Sequence, residues 1–226
     1  MQDAGFVKQA FAGIARRYVL TNHVLSLGMD VLWRRTTARL VAGYQPAWVL
    51  DLATGSGDLA QAIAHACPQT RVLGGDFSPP MMAQAQKRGF HHLMAADALT
   101  LPVRDEAFDV VTVAFGLRNM ASWPEALREM SRVLRPGGHL VVLDFSLPRL
   151  RLLRPFYVFY LENIMPRIAG LITGRREAFE YLCRSIESFP SGEQMEALIL
   201  ANGFATSTSK PLSLGIATLY SATKGG

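Results

Sequence analysis

Apolar segments of strand length alternate with helical segments over residues 47–146, and this alternation restricts the fold more than any other feature of the chain. The apolar segments are nearly continuous, as strands are when helices cover both faces of a parallel sheet. We therefore predict an α/β fold with strands at 47–53, 71–77, 91–97, 108–115 and 137–146.

Helix signals fill the spaces between these strands. Ser78 is followed by two prolines, and Ser122 with Glu125 forms a capping-box sequence. Residues 147–190 break the alternation, because they are rich in arginine, aromatic residues and proline. The predicted helices outside that break are 3–20, 24–42, 57–66, 78–89, 122–134 and 191–203, and two closing strands lie at 204–210 and 216–224.

The length and composition suit one domain. The chain has 226 residues, of which 50% are hydrophobic and 18% are charged, and such a chain can bury one sizeable core. We predict a single domain over 1–226, with an N-terminal helical cover at 1–45 and a lid at 147–190 inserted before the last two strands. Its sheet is doubly wound, Rossmann-like, seven-stranded and mostly parallel.

Several features bear on where the protein resides. The start of the chain is polar and amphipathic, and it lacks the basic segment followed by an apolar segment that is typical of a signal peptide. We therefore predict no signal peptide. No stretch reaches the roughly 18 apolar residues expected of a spanning helix. Cys67 and Cys183 lack CxxC spacing and a neighbouring histidine cluster, which predicts reduced thiols and no metal site. We predict a cytoplasmic protein, with contact at the inner face of the cell membrane left open.

The sequence DLATGSGDLA (51–60) lies between the first strand and the following helix. Glycines in such a turn let the backbone approach a ligand, and the helix N-terminus offers N–H donors. Asp76 follows Gly57 by 19 residues and ends the second strand. This spacing predicts a carboxylate that accepts hydrogen bonds from a ribose diol.

The same loop argues against a dinucleotide. The G-x-G-x-x-G order is absent, and Asp51 and Asp58 would repel a pyrophosphate. Acids suit a ligand with an ammonium group and no phosphate, which favours S-adenosylmethionine (SAM). We expect Asp76 to bind its ribose, Phe77 to contact the adenine ring and Asp97 to meet the adenine edge. For Asp58, the role of a first-turn acid on the helix dipole remains equally open.

A second motif, VAFGLRNM (113–120), ends a strand and is followed at once by a cation and an amide. Because the ligand edge of such a sheet lies at the carboxyl ends of its strands, Arg118 and Asn119 are candidate site residues. Separately, the glycine loop together with Asp76, Asp97 and the LRPGGHLVVLDF stretch (134–145) predicts a class I SAM-dependent methyltransferase.

Five stretches, 14–35, 49–58, 108–120, 129–146 and 177–204, resemble the ubiquinone/menaquinone biosynthesis C-methyltransferases. The resemblance extends over nearly the whole chain, and FGLRN is its most specific part. It implies SAM-dependent methylation of a ring carbon of a polyprenylated quinol, first of all demethylmenaquinol.

The resemblance also implies roles for individual residues. Val19 and Asp97 stand where the family usually has Asp and Asn, so the identity of the quinone stays open. The implied catalytic residues are Arg118 and Asn119, together with Tyr18 and Asn22 from the N-terminal cover. The predicted cofactor-binding set is Asp51, Thr54, Gly55, Ser56, Gly57, Asp76, Phe77, Asp97, Ala98 and Ala114.

Methylation of a quinol carbon requires a phenolate, because the ring carbon is a weak nucleophile until a hydroxyl loses its proton. Arg118 is permanently cationic and suited to stabilising that phenolate in a site shielded from water. Arginine itself is a poor general base, so we assign proton removal to a bound water or a nearby group such as His23 or Tyr18. The alternative role of Arg118 is an ion pair that holds the cover helix.

The net charge of +5 is concentrated in one segment, since seven arginines face three glutamates between Arg149 and Arg184. Arginines interleaved with aromatic residues over 147–176 suit contact with an anionic membrane surface and a prenyl tail. The alternative is a lid that packs on the protein's own core. Because the basic charge is confined to one segment, we predict no nucleic-acid partner. The oligomeric state stays open, with a homodimer as one alternative.

Other functions also remain open at this stage. The acceptor could be the benzoquinol precursor of ubiquinone, or another small phenolic or lipid molecule that uses the same site. The third alternative is not an enzyme but a SAM-binding partner protein within a quinone-synthesis complex. Turnover on a panel of acceptors distinguishes them.

Overall fold

The computed structural model describes residues 28–148, 152–165 and 183–226, together with positions 26, 150, 167 and 170. The predicted helix at 3–20 therefore lies outside the described residues, as does much of the predicted lid.

Seven strands form one sheet in the order β3-β2-β1-β4-β5-β7-β6. Strands β1 to β5 pair in parallel, and β7 is antiparallel to both β5 and β6. The prediction of a doubly wound, mostly parallel sheet is confirmed. The strands are β1 (Trp48–Leu52), β2 (Arg71–Asp76), β3 (Leu93–Ala95), β4 (Phe108–Ala114), β5 (Leu134–Phe145), β6 (Phe204–Leu212) and β7 (Ala217–Lys224).

Helices connect these strands close to the predicted positions. They are α1 (Met29–Gly43), α2 (Asp58–Ala66), α3 (Pro79–Lys87), α4 (Trp123–Val133), α5 (Arg154–Phe159) and α6 (Glu193–Leu200). A π-helical turn (Tyr160–Ile164) continues α5, residues 183–188 are helical, and 3₁₀ turns span Leu117–Asn119 and Ser213–Gly215. The predicted cap of α4 is present, because the Ser122 side chain accepts from the Glu125 backbone N–H.

Both faces of the sheet are buried, which explains the near-continuous apolar strands. Neighbouring residues of one strand enter different cores: Val110 packs with α1, α2 and α3, whereas Val111 packs with α4 and α6. Val141 and Val142 divide in the same way. Since period-2 alternation sends successive side chains to opposite faces, a two-sided core favours apolar residues at most positions of a strand.

Strand β5 starts earlier than the sequence predicts. Leu134 already pairs with Phe108, and the register shifts before His139 pairs with Val110. The Pro-Gly-Gly sequence within this interval was predicted to precede the strand, whereas it forms an irregular first part of it. The left-handed φ of 72° at Gly137 accommodates that irregularity.

Candidate functional site

A cavity opens at the carboxyl ends of β1, β2 and β4, where the ligand edge of a doubly wound sheet lies. The structure brings the predicted cofactor residues together here: the cavity is lined by Asp51, Thr54, Gly55, Ser56, Asp76, Phe77, Asp97, Ala98 and Ala114. Gly57 is the exception, because it does not line the cavity.

Gly57 instead shapes the loop that forms the cavity floor. It precedes α2 with a left-handed φ of 77°, and a Cβ there would lie 3.2 Å from the Cβ of Ala85 in α3. Gly55 and Ala53 are also left-handed, with φ of 57° and 50°. A run of such residues turns the chain sharply from β1 into α2, which exposes backbone N–H groups to a ligand.

Asp51 lies at the end of β1 with only 1% of its surface exposed. The hydroxyls of Thr54 and Thr112 donate to its two carboxylate oxygens at 2.7 and 2.6 Å. Burial raises the pKa of Asp51 to about 6, although both hydroxyls and the positive charge of Arg34 oppose the shift. The cavity therefore contains a carboxylate that changes charge close to neutral pH.

Asp76 ends β2 and holds the glycine loop by its side chain. Its oxygens accept backbone N–H bonds from Gly55 at 2.7 Å and from Ser78 at 2.8 Å. Each carboxylate oxygen has a second lone pair, so the pair can also accept the two hydroxyls of a ribose. Burial raises the pKa of Asp76, while these backbone donors lower it.

The adenine end of the cavity fits the residues predicted for it. Phe77 follows Asp76 directly, and 39% of its surface is exposed, so its ring offers an apolar face to a base. One oxygen of the exposed Asp97 side chain accepts from the Leu99 backbone at 2.9 Å. The carboxylate retains acceptor capacity for an exocyclic amine such as the adenine amino group. These residues fit SAM.

Arg34 is a cavity residue that sequence reasoning missed. It projects from α1, is 8% exposed and forms an ion pair with Asp30 of the same helix. A signal was present, because Asp30 and Arg34 occupy the same buried stripe as Trp33 and Val41. Charged pairs are rare on buried helix faces, so this one marks a polar site beneath the helix.

The structure separates the two polar residues of the FGLRN motif. Asn119 lines the cavity and Arg118 does not. Arg118 is 2% exposed, and its Nη1 donates to Asp144 of β5 and to the Phe115 carbonyl, both at 2.6 Å. Its guanidinium also lies 5.2 Å from the centre of the Phe145 ring. Arg118 thus contacts the cavity lining through the Phe115 carbonyl, which also accepts from Asn119 Nδ2 at 3.4 Å.

The sequence left open an ion pair between Arg118 and the cover helix. The structure instead pairs Arg118 with Asp144 in the sheet. Tyr18, Asn22 and His23 lie outside the described residues. Among the residues described, no group of three or more His, Cys, Asp or Glu side chains is placed to hold a metal ion.

Sheet order and cavity together define a class of protein. An antiparallel β7 inserted between β5 and β6, with acids at the carboxyl ends of β1 and β2, is the arrangement of class I SAM-dependent methyltransferases. Solved structures share this fold. A SAM-dependent methyltransferase from Thermotoga maritima, titled a possible histamine N-methyltransferase, has a TM-score of 0.64 at 18% identity, over 95% of this chain and 99% of that one. The plantazolicin methyltransferase BpumL, solved with SAH, has a TM-score of 0.66 at 12% identity, over 99% and 98%.

Sequence comparisons assign the chain to one family within this class of methyltransferases. The sequence profile of the ubiE/COQ5 methyltransferase family matches residues 1–224, and the chain belongs to that family. It is 43% identical to the demethylmenaquinone methyltransferase of Thermus thermophilus, over 93% of this chain and 97% of that protein. It is 38% identical to the ubiquinone/menaquinone biosynthesis C-methyltransferase UbiE of Geobacter sulfurreducens, over 97% and 88%. The protein is a SAM-dependent methyltransferase, as predicted.

The raised pKa of Asp51 predicts pH-dependent cofactor binding. Its pKa of about 6 exceeds the ordinary value, so folded protein without SAM carries a proton there below pH 6. An ammonium group favours the ionised carboxylate, so binding releases that proton. SAM affinity should therefore rise by up to about tenfold per unit as pH increases towards 6, then level off. Titration calorimetry from pH 5 to 8 measures this.

Asp51→Asn is the matched variant for that titration. It removes the titrating group and should flatten most of the pH dependence, leaving the smaller contribution of Asp76, whose pKa burial also raises. An unchanged slope in the variant would show that Asp51 is not the responsible group.

Proposed function

We propose that this methyltransferase transfers a methyl group to a ring carbon of a polyprenylated quinol, with demethylmenaquinol as the first candidate and the benzoquinol precursor of ubiquinone as the second. The observation that carries the proposal is the 43% identity, over 93% of the chain, to a protein named demethylmenaquinone methyltransferase. We further propose that residues 1–226 act as one domain, in which the cover at 1–45 and the lid at 147–190 enclose the acceptor.

The acceptor would lie beside the FGLRN turn. When bound, SAM supplies an electrophilic methyl group. Asn119 lines the cavity and can orient a quinol oxygen or a water molecule through its amide. We propose that Arg118 supports the phenolate by its charge and by holding Phe115 and Asn119 in place, and that Tyr18 and Asn22 complete the pocket from the cover.

Asn119→Ala tests this assignment. We expect turnover with a short-chain demethylmenaquinol to fall by about 10²-fold, the lower range for losing a positioned catalytic group, while the dissociation constant of S-adenosylhomocysteine changes little. The measurements are methyl transfer from labelled SAM under reducing conditions, and calorimetry. Met120→Leu, at the neighbouring cavity residue, is the control and should keep both values. Full turnover by Asn119→Ala would remove the residue from the catalytic set.

We also propose that the lid rests on the membrane surface from which the prenyl tail enters. The segment 152–165, which contains α5, has two sides. Tyr157 of α5 packs against a buried cluster that includes Leu161, Met165 and Cys183, so one side of the segment packs on the protein itself. Phe156 and Phe159 of α5 are 70% and 57% exposed, and Leu152, in the turn before the helix, is 78% exposed.

The spacing and charge of that outer side support membrane contact. Phe156 and Phe159 are three residues apart and so fall on one face of α5, and the exposed Arg154 and Arg167 precede and follow them in the sequence. Aromatic side chains in the interface with arginines at anionic headgroups are typical of peripheral binding. Across the residues that the structure describes, no helix is long and apolar enough to cross a bilayer.

Phe156→Ser combined with Phe159→Ser should weaken binding to phosphatidylglycerol-containing vesicles by at least about tenfold, because each buried phenylalanine contributes roughly 1.5–3 kcal/mol. Co-sedimentation measures the loss. Leu200→Ser is the control, since Leu200 is 45% exposed but lies on α6. Equal binding by all three proteins would overturn the contact, and binding that ignores the anionic lipid would remove its electrostatic part.

A further inference from the structure

The cofactor cavity is lined mainly by acids, whereas the methionine end of SAM carries a carboxylate as well as an ammonium group. Four carboxylates line the cavity: Asp51, Asp58, Asp76 and Asp97. Among its described lining residues, Arg34 is the one lysine or arginine. These acids suit the sulfonium and ammonium groups of SAM, but the methionine moiety also carries an α-carboxylate, which needs a donor with positive charge.

Arg34 is held in place as a binding residue would be. Its Nη1 forms an ion pair with Asp30 one turn earlier, and its guanidinium lies 5.2 Å from the centre of the Phe115 ring. Trp33, beside it, is fixed by a 2.9 Å hydrogen bond from its indole N–H to Ser213. A guanidinium that is restrained by neighbours loses little freedom when it binds a carboxylate.

The same guanidinium influences the acids of the glycine loop. Its charge lowers the pKa of both Asp51 and Asp58 against their burial. Arg34 therefore lies close enough to these acids, in the cavity that all three line, for its charge to act on them, and a zwitterion bound there would find a partner for each of its charges. Asp58 also has its own ion pair with Arg88 at 2.7 Å, so it does not depend on Arg34 for compensation.

We infer that Arg34 binds the α-carboxylate of the methionyl group of SAM, with Asp30 as its positioning residue. An arginine presents five N–H donors in a fork that matches a carboxylate. In the part of the chain that the structure describes, its guanidinium donates to Asp30 alone, which leaves donors for a ligand. The role extends to the product, since S-adenosylhomocysteine keeps the same carboxylate.

A pair of ligands isolates this contact. SAM and decarboxylated SAM differ only in the α-carboxylate, and their dissociation constants can be measured by calorimetry without any acceptor. Arg34→Met keeps the length of the side chain and removes the charge. We expect it to weaken SAM by about 10- to 100-fold, as loss of a charge-assisted hydrogen bond does, and to leave decarboxylated SAM within about threefold of its wild-type value.

Two further variants separate the contact from a structural role. Arg35→Met is the matched control, because Arg35 is the next residue of α1 and is exposed; both ligands should bind as to wild type. Arg34→Gln retains polar character at the site and should also reduce the preference for SAM, which covers the case that Arg34→Met does not fold.

The result that would overturn the inference is an equal loss for both ligands, since that is how a purely structural residue behaves. Unchanged binding of SAM to folded Arg34→Met would overturn it as well. The inference rests on SAM as the cofactor of the proposed reaction and not on the quinol, so a failure of the quinol assay would leave this experiment unaffected.

Discussion

Asp76→Ala should abolish useful cofactor binding, with SAM affinity falling by at least about 100-fold. The residue is 6% exposed, and its carboxylate bonds to the backbone of Gly55 and Ser78. Alanine removes the carboxylate that we propose accepts two ribose hydroxyls, and each such hydrogen bond to a charged group is worth roughly 1.5–3 kcal/mol. It also leaves two backbone donors without their acceptor. Calorimetry with SAM measures the loss.

Asp76→Asn distinguishes ligand contact from loop support. Asparagine retains the shape and one acceptor oxygen, so the loop should fold while affinity still falls by about tenfold or more. Asp105→Ala serves as the control, because this exposed acid pairs with Arg132 away from the cavity. Wild-type affinity in Asp76→Ala would show that the ribose binds elsewhere.

Asp144→Ala is expected to destabilise the fold by about 3–5 kcal/mol, because it leaves the Arg118 charge buried without its partner. Asp144 is fully buried, and its pKa is raised by that burial, although Arg118 opposes the rise. For a chain of this size the loss corresponds to a decrease of about 6 to 20 °C in Tm. Differential scanning calorimetry on the purified protein measures it.

The double variant Arg118→Met with Asp144→Leu replaces both charges by apolar groups of similar size. Such replacements commonly restore stability, so its Tm should recover most of the loss, and the failure to recover would contradict the pairing. The same variant then reports on catalysis. Lost turnover in a stable, SAM-binding double variant supports a role for the Arg118 charge, and wild-type turnover would remove it from the mechanism.

The sequence predicts those parts of the molecule that depend on local pattern. Strand β4 is mostly apolar because its two opposite faces enter different cores, and one of its bounds differs from the prediction by one residue. Asp76 could be placed because it ends a strand at a fixed distance from the loop. Parallel strands bring their carboxyl ends to one edge, so a pattern read along the chain also predicts neighbours in space.

Contacts between distant segments could not be predicted in this way. The partner of Arg118 lies 26 residues away on a neighbouring strand, and no periodicity connects the two. Arg34 enters the cavity from α1, which precedes the sheet in sequence and packs on α2 and β5. The orientation of α1 relative to the sheet depends on tertiary packing. The sequence alone therefore does not predict which residues of α1 line the cavity.

The aromatic residues of the segment after β5 are divided between buried and exposed positions. The sequence left open whether its aromatic residues pack on the protein or contact a membrane. In the described part, Tyr157 packs against a small cluster that includes Leu161 and Cys183, while Phe156 and Phe159 are exposed. Neighbouring aromatic residues of one helix thus point in different directions, which composition alone does not resolve.

Methyl transfer from labelled SAM to matched short-chain demethylmenaquinol and ubiquinone-type benzoquinol acceptors, under reducing conditions, is the most direct test of the proposed reaction. We predict turnover with the methyl group on a ring carbon, and a higher kcat/KM for demethylmenaquinol. A higher value for the benzoquinol would reassign the substrate. No turnover on either acceptor by protein that still binds SAM would contradict the account, and would favour a different acceptor or a non-catalytic role.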